Sequence, residues 1–312
     1  MISNLLYKNF YSTLPINNNY DKKNLSPYLA GLIEGDGHIH TPSTYRNLNG
    51  KKNIPFIEIC FDIKDLPLFE KIKGVLNGGY IIIRPNKKSG RLFIKKKVIL
   101  LKLINLINGY MRTPKIEALH RIIQWFNNEK NNYQIKPLGL DTSLLENNSW
   151  LSGFIEADGN FYLNWKLSDK SLNKEIISVI YYFRLSQRQI YSRKIDPKIK
   201  ESNIIIMSRI SEFLKTVVIS LNRKRINYEE NAFLIKTDKI ESKNIIFSYL
   251  NKYPLFGYKY FAHVNLGMIH NLIIKSEHKT KTGKLKFLEY ANLMKYNSEI
   301  HNWEHLNKFY IH

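Results

Sequence analysis

The sequence predicts an α+β chain built from two pseudo-symmetric αββαββα repeats. Three observations carry that reading. Residues 26–40, Ser-Pro-Tyr-Leu-Ala-Gly-Leu-Ile-Glu-Gly-Asp-Gly-His-Ile-His, recur at an offset of 122 as residues 148–162, Asn-Ser-Trp-Leu-Ser-Gly-Phe-Ile-Glu-Ala-Asp-Gly-Asn-Phe-Tyr. After each copy the apolar pattern switches from helical spacing to period two, the mark of strands. The charge is divided in the same way. Of 48 Lys+Arg and 26 Asp+Glu, residues 1–148 hold 22 and 11 and residues 149–312 hold 26 and 15, a net of +11 in each half.

The elements follow in order. Ser26 is placed to cap the first helix, with Pro27 at its first position, where a missing N–H costs nothing. Asn148 or Ser149 would do the same for the second copy. Gly37 and Gly159 end the two helices. Strands are expected near Gly37–Arg46 and Ile54–Ile63, a helix over Leu66–Leu76, strands Gly79–Arg84 and Arg91–Lys96, and helices Val98–Ile107 and Lys115–Asn127. In the second half the pattern predicts strands Gly159–Leu167 and Ile176–Gln187, a helix over Ser211–Leu221, strands within Arg225–Lys236, and helices Ser242–Tyr249 and Tyr260–Ile274. The domains are then an N-terminal extension (1–24), a first repeat (25–128), a polar linker (129–147), a second repeat (148–274) and a C-terminal extension (275–312), which is expected to pack on the second half.

Composition excludes several classes. At 44% hydrophobic and 13% aromatic the chain can bury a large core. One cysteine, Cys60, allows no internal disulfide and no Cys-rich zinc site; flanked by Ile59 and Phe61, it reads as a small core residue. No apolar run approaches the ~18 residues of a membrane span. A net charge of +22 opposes compaction and attracts polyanions: nucleic acid first, an anionic membrane surface second, with compositional drift as the bland alternative.

Within each motif helix small residues recur at spacing four, Gly31 with Gly35 and Gly153 with Ala157. Such a stripe lets two backbones approach closely. It serves either a helix tight against its own sheet or the two motif helices packed on each other across a pseudo-twofold axis, and the duplication favours the second. Asp36 and Asp158 close the two helices, where the dipole disfavours an anion. Paired helices would bring the carboxylates together, and adjacent like charges raise a pKa or recruit a cation. Oxygen-only ligation suits Mg²⁺. The alternative is that both aspartates only cap the turns that follow them.

At these residues the chain resembles the LAGLIDADG homing endonucleases, in their monomeric two-motif branch. Leu29-Ala30-Gly31-Leu32-Ile33-Glu34-Gly35-Asp36-Gly37 is close to the eponymous motif and Leu151-Ser152-Gly153-Phe154-Ile155-Glu156-Ala157-Asp158-Gly159 is similar to it. Residues 108–120, beginning Asn108-Gly109-Tyr110-Met111-Arg112-Thr113-Pro114-Lys115, and residues 253–259, Tyr-Pro-Leu-Phe-Gly-Tyr-Lys, resemble the two segments that lead into a repeat's last helix. The resemblance implies metal binding by Asp36 and Asp158 with the carbonyls of Gly35 and Ala157, Mg²⁺ or Mn²⁺ as cofactor, and Lys115 and Lys259 as the basic residues of the catalytic pocket. It implies that Gln187, in Phe183-Arg184-Leu185-Ser186-Gln187, helps order water near the metal. No glutamine stands in the comparable Cys60–Lys64 stretch. The lysines are 144 apart and the aspartates 122, so the second repeat carries about 22 extra residues, expected around Arg188–Asn203.

The strands alternate polar with apolar groups: Tyr162, Asn164 and Lys166 against Phe161, Leu163 and Trp165. One face would pack on helices while the other stays open. The two sheets would form a saddle of antiparallel strands with the motif helices at its interface. Such a face can lie in a DNA major groove or be an ordinary solvated face. Candidate DNA contacts are His38, His40, Arg46, Arg84, Asn164, Lys166, Arg184 and Arg188. His38 and His40 share a strand face but lack a third ligand for a metal.

The family resemblance implies a site-specific double-stranded DNA endonuclease, cutting across the minor groove to leave 3′ overhangs and promoting intron mobility. The family also includes RNA maturases that assist splicing of a host intron, which makes intron RNA a second partner, while the intact aspartates and two matched lysines favour retained cleavage, since a pure maturase need not keep them. A DNA-binding regulator with a dead nuclease site is a third reading, which the intact aspartates and lysines disfavour. A monomer with no membrane association is expected. The Lys, Asn, Ile and Tyr bias and the lack of an Arg-rich leader fit a mitochondrial intron product made inside the organelle.

Overall fold

Backbone contact between two short helices organises the molecule. The computed structural model describes residues 21–84, 88–129, 133–168, 175–191, 202–224, 229–295 and 302–310. Helix α1 (Lys22–Asp36) and helix α5 (Trp150–Asp158) carry the two motifs. A Cβ on Gly31 would lie 2.1 Å from the Trp150 carbonyl oxygen, and one on Gly153 would lie 1.9 Å from that of Tyr28. The small-residue stripe is therefore the contact surface between the helices. Gly37 and Gly159 cap the helix ends with extended backbone and send each chain directly into a strand.

In the first repeat β1 (Gly37–His40), β2 (Phe56–Asp62), β3 (Tyr80–Ile83) and β4 (Ser89–Ile94) form an antiparallel sheet in the order β1-β2-β4-β3. Helices α2 (Leu66–Leu76), α3 (Lys97–Ile107) and α4 (Ile116–Asn127) belong to the same repeat. The second repeat matches it: β5 (Gly159–Leu167), β6 (Ile176–Arg188), β7 (Val218–Lys224) and β8 (Glu229–Lys236) form β5-β6-β8-β7, with α6 (Ile204–Phe213), α7 (Ile240–Lys252) and α8 (Lys259–Ile274). On β2 and in the middle of β6 every second side chain is buried, Ile57, Ile59 and Phe61 and then Tyr181, Phe183 and Leu185. The opposite faces stay open, as period-two alternation requires.

Three expectations are corrected. Ser26 does not cap α1: the helix starts five residues earlier than expected, Asp21 accepts from the backbone N–H groups of Lys23 and Asn24, and Ser26 is buried inside the helix with Pro27. In the second motif one of the two expected residues does cap: Ser149 precedes the helix, and the Asn148 side chain accepts the Trp150 N–H. The first strand ends at His40 and leaves Arg46 in a loop. The apolar run expected as a helix over Ser211–Leu221 is split: its first residues end α6 and its last begin β7. That run holds β-branched Thr216, Val217, Val218 and Ile219, which favour a strand once a sheet edge is available.

The extra residues of the second repeat are distributed. Corresponding positions are 122 apart at Gly37 and Gly159, 126 apart at their strand partners Ile59 and Leu185, and 143 apart at Leu92 and Ile235. Between the last two pairs most of the gain falls before α6, in the expected Arg188–Asn203 stretch, of which 192–201 lie outside the described residues.

The linker is pinned by side chains. Asn108 brackets residues 136–138, Asn127 bonds both backbone groups of Ile135, and Arg112 and Arg209, one from each repeat, donate to the carbonyl of Ser143. The C-terminal extension packs on the second half, as expected, and continues beyond it. In α9 (Lys281–Lys295) Phe287 meets Trp165 edge-on, and Phe309 and Tyr310 then pack on Tyr28 of α1. No helix among the described residues is long and apolar enough to cross a membrane.

Candidate active site at the helix seam

Asp36 and Asp158 are the last residues of α1 and α5, and the crossing of the helices brings them together. The contact is close: a Cβ on Gly35 would lie 2.8 Å from Asp158 Oδ2 and 2.2 Å from the Ala157 Cβ. The surrounding protein, then the charge of Asp158, push the pKa of Asp36 up to about 6, against the pull of Lys259 and Lys115. Asp36 remains exposed, so it is open to a ligand from solvent. Burial raises Asp158 as well, opposed by a hydrogen bond from Gln187 and by the same two lysines.

Both lysines lie at the helix ends. Lys115 Nζ donates to the carbonyls of Ile33, Glu34 and Gly37 at 3.0, 2.6 and 2.9 Å, with Gly35 at 3.3 Å. Lys259 Nζ repeats this at Ile155, Glu156 and Ala157, at 3.3, 2.7 and 2.6 Å. A helix C-terminus leaves carbonyls without intrahelical donors and carries partial negative charge, so a buried ammonium satisfies both. Burial holds Lys115 below its ordinary pKa. The Gly35 and Ala157 carbonyls, expected as metal ligands, therefore already accept a lysine proton.

Gln187 Nε2 donates to Asp158 Oδ2 at 2.6 Å. In the first sheet its register position, two residues beyond the partner of the motif glycine, belongs to Phe61. Phe61 is buried and stacks on Phe69 at 4.1 Å. The two aspartates are thus supported differently.

Sequence reasoning missed the motif glutamates. Glu34 accepts from the backbone N–H of Arg112 and Thr113, the Thr113 hydroxyl, and Trp150 Nε1 across the seam at 2.5 Å. Glu156 accepts from the backbone of Phe256 at 2.8 Å and from the Tyr28 hydroxyl across the seam at 3.1 Å. Each glutamate anchors the loop that delivers its own repeat's lysine and takes a donor from the first turns of the opposite motif helix. The available signal was a duplicated carboxylate buried in an otherwise apolar helix. Asp65 adds an asymmetric tie, accepting the Tyr258 N–H at 2.5 Å, with its pKa pushed up to about 7 by burial and by Glu156.

On the open sheet faces, His38 and His40 flank the buried Ile39, and Asn164, Lys166 and Arg184 are exposed. Arg188 pairs with Glu230 at 2.6 Å. Arg84 is exposed just past β3, and Arg46 donates to the Gly50 carbonyl at 2.6 Å within its loop. Among the described residues no group of three or more His, Cys, Asp or Glu side chains is placed to hold a metal.

Two repeats whose metal-suited carboxylates meet at a glycine-lined helix crossing define a single-chain pseudo-dimer. The chain belongs to the LAGLIDADG endonuclease family: the family model matches residues 29–126 and 151–270. The intron-encoded DNA endonuclease aI3 of Saccharomyces cerevisiae is 31% identical, over 94% of this chain and 74% of its own length. The intron-encoded RNA maturase bI4 of the same yeast is 30% identical over 54% of this chain, which spans 25% of that relative. Among solved structures, the I-LtrWI LAGLIDADG homing endonuclease bound to target DNA is 21% identical, with TM-score 0.56 over 88% of this chain and 98% of that one. I-SmaMI is 16% identical, with TM-score 0.59 over 90% and 100%. These structures share the fold. I-SmaMI has also been solved on uncleaved DNA in the presence of calcium ions.

Proposed function

We propose that this chain is a site-specific double-stranded DNA endonuclease that hydrolyses phosphodiesters with divalent metal and promotes mobility of its own intron. The observation that carries the reading is the meeting of Asp36 and Asp158 at the seam of two open sheet faces in a chain with net charge +22. Each repeat would cover half of an asymmetric site, placing the seam over the scissile phosphates of both strands. One chain supplies both halves, so a monomer suffices.

The donor set fits a hard cation. Asp36 is exposed, both carboxylates are raised toward protonation by their surroundings, and their mutual repulsion is relieved by a positive charge between them. Asp36 and Asp158 would hold Mg²⁺ or Mn²⁺, which when bound acidifies water and offsets charge on the leaving oxygen. The remaining ligands would come from DNA phosphates and water. Lys115 and Lys259 hold the aspartate-bearing turns in place and bring positive charge beneath the phosphates, where it stabilises the anionic transition state. Gln187 orients Asp158 and, through its amide oxygen, would position a water. The Gly35 and Ala157 carbonyls keep a second lone pair beside the one that faces lysine and would complete the donor set.

Asp36→Asn and Asp158→Asn should each abolish double-strand cleavage of a selected target while binding in calcium survives. Normal two-strand cutting by either variant would end this reading. A second reading, an RNA maturase on the same scaffold, is favoured by the resemblance to the bI4 maturase. In vitro splicing of the cognate intron with and without the protein, and with Asp36→Asn, separates the two roles, because RNA binding does not need the carboxylates. Intron-encoded proteins of Saccharomyces cerevisiae and Neurospora crassa are among the relatives, and with the Lys, Asn, Ile and Tyr bias they support a mitochondrial location for this chain. The repeat limits we propose are residues 25–128 and 148–274, joined by 129–147.

A further inference from the structure

The two sheet faces that flank the seam correspond residue by residue, and their chemistry differs. The motif glycines fix the correspondence, since Gly37 pairs with Ile59 and Gly159 with Leu185. One step along, the first sheet has the outward row His38–Glu58–Phe93–Tyr80 across β1, β2, β4 and β3. The second sheet has Asn160–Arg184–Lys236 in the same places. Glu58 thus stands where Arg184 does, and Phe93 where Lys236 does.

The neighbouring contacts confirm the match. His40 stacks on Phe56 at 4.7 Å, and Tyr162 stacks on Tyr182 at 4.7 Å. Phe93 lies 5.8 Å from Phe56, while Lys236 Nζ sits 4.1 Å over the Tyr182 ring and also pairs with Asp238. In the first sheet the strip continues as Phe93 stacks on Tyr80 at 5.4 Å, with Ile82 exposed beside it. The Glu58 charge is met by Arg91 at 3.2 Å. An aromatic strip therefore crosses all four strands of the first sheet with little net charge, and it begins two residues from Asp36. Tyr80 and Ile82 are 46% and 43% exposed, so the strip is open to a partner.

Resting on the endonuclease reading, we propose that the first repeat recognises its half of the DNA site through thymine methyl groups, while the second uses hydrogen bonds from Asn160, Arg184 and Lys236. In the major groove the C5-methyl of thymine is the apolar group on a base edge, and G·C pairs offer only donors and acceptors. Pressing Phe56, Phe93, Tyr80 and Ile82 onto a G·C edge would strip water from polar atoms without replacing it. Against A·T pairs the same rings gain apolar contact. The half-site under the first repeat should be rich in thymine, and binding there should depend on the methyls themselves.

Deoxyuridine tests this, since it lacks only the methyl. The full chain is used to select cleaved targets from a randomised duplex library with Mg²⁺. The recovered site is then resynthesised with dT→dU in one half at a time, and Kd is measured in calcium at fixed salt. One half should lose affinity by about fourfold per contacted methyl and the other should change little. Phe93→Lys, which installs the second repeat's residue, should abolish that difference and steepen the salt dependence. Ile82→Asn, on the edge strand, should weaken it and is the second variant if Phe93→Lys folds poorly by urea midpoint. Equal losses in both halves, no loss in either, or a difference between halves left undiminished in a folded variant would overturn the assignment. Recovery of no cleaved duplex would overturn the endonuclease reading itself and this inference with it.

Discussion

Gly153→Ala adds one methyl group at the closest point of the helix crossing. Its Cβ would meet the Tyr28 carbonyl oxygen at 1.9 Å, the Tyr28 carbonyl carbon at 2.8 Å and the Leu32 nitrogen at 2.9 Å. All three are backbone atoms, so no rotamer can relieve the clash. The helices must part by at least about 1.1 Å to reach 3.0 Å, below which Cβ contacts are not found. Overpacking of this kind costs about 1–3 kcal/mol, and loss of the Trp150–Glu34 or Tyr28–Glu156 bond adds about 1.5–3 kcal/mol for each charged acceptor left unmet. Higher helix propensity returns about 1 kcal/mol. A net loss of roughly 2–4 kcal/mol is expected. Parting the aspartates by ~1 Å should also lower cleavage by ~100-fold. The control is Gly74→Ala in α2, where a Cβ meets nothing within 4 Å. It should be neutral or stabilising by up to ~1 kcal/mol. Urea unfolding followed by tryptophan fluorescence reads both variants. Equal midpoints for Gly153→Ala and Gly74→Ala would refute the close-packed seam.

Three further outcomes follow from the site. Lys259→Met leaves three helix-end carbonyls without their ammonium; single-turnover cleavage should fall ~100-fold or more, and the urea midpoint should drop. Gln187→Ala removes the bond that orients Asp158, so half-saturation with Mg²⁺ in cleavage assays should rise about 10–100-fold while DNA binding in calcium holds. His263 is buried against Phe161 and Phe247, and burial lowers its pKa to about 4. Its folded pKa lies below the unfolded ~6.5, so the unfolded chain takes up the proton first as pH falls. The stability linked to this group is complete above pH ~6.5, declines between ~6.5 and ~4, and levels below; the decline is about 3 kcal/mol. His263→Phe should flatten urea midpoints over that window, and an unchanged pH profile would count against a neutral buried imidazole.

Much of the site is legible in the chain because it is duplicated. A single Asp-Gly after an apolar helix says little, whereas two, each with small residues at spacing four, specify a helix pair and a meeting of carboxylates. Lys115 and Lys259 are findable only through their position relative to the motif, since the chain holds 48 Lys+Arg. Glu34 and Glu156 were visible as residues but not as anchors, because their partners lie about 80 and 100 positions away. The helix boundary at Ser211–Leu221 failed because a short apolar run fits both periods, and only an available edge on β8 decides for a strand. The start of α1 failed because Pro27 looks like a first-turn residue, while the Asp21 cap and the buried Leu25 and Ser26 extend the helix past it.

The chain by itself determines the two-fold plan: repeat, motif helices, strand periodicity and evenly divided charge are all local or simply periodic, and local patterns survive without knowledge of the fold. The tertiary structure decides what the repeat does with its copies. It sets Gln187 against Phe61, Arg184 against Glu58 and Lys236 against Phe93, and it crosses the aromatic donors of each motif helix to the glutamate of the other. Those pairings depend on strand register and on the helix crossing, and both are set by long-range packing that no window along the sequence contains.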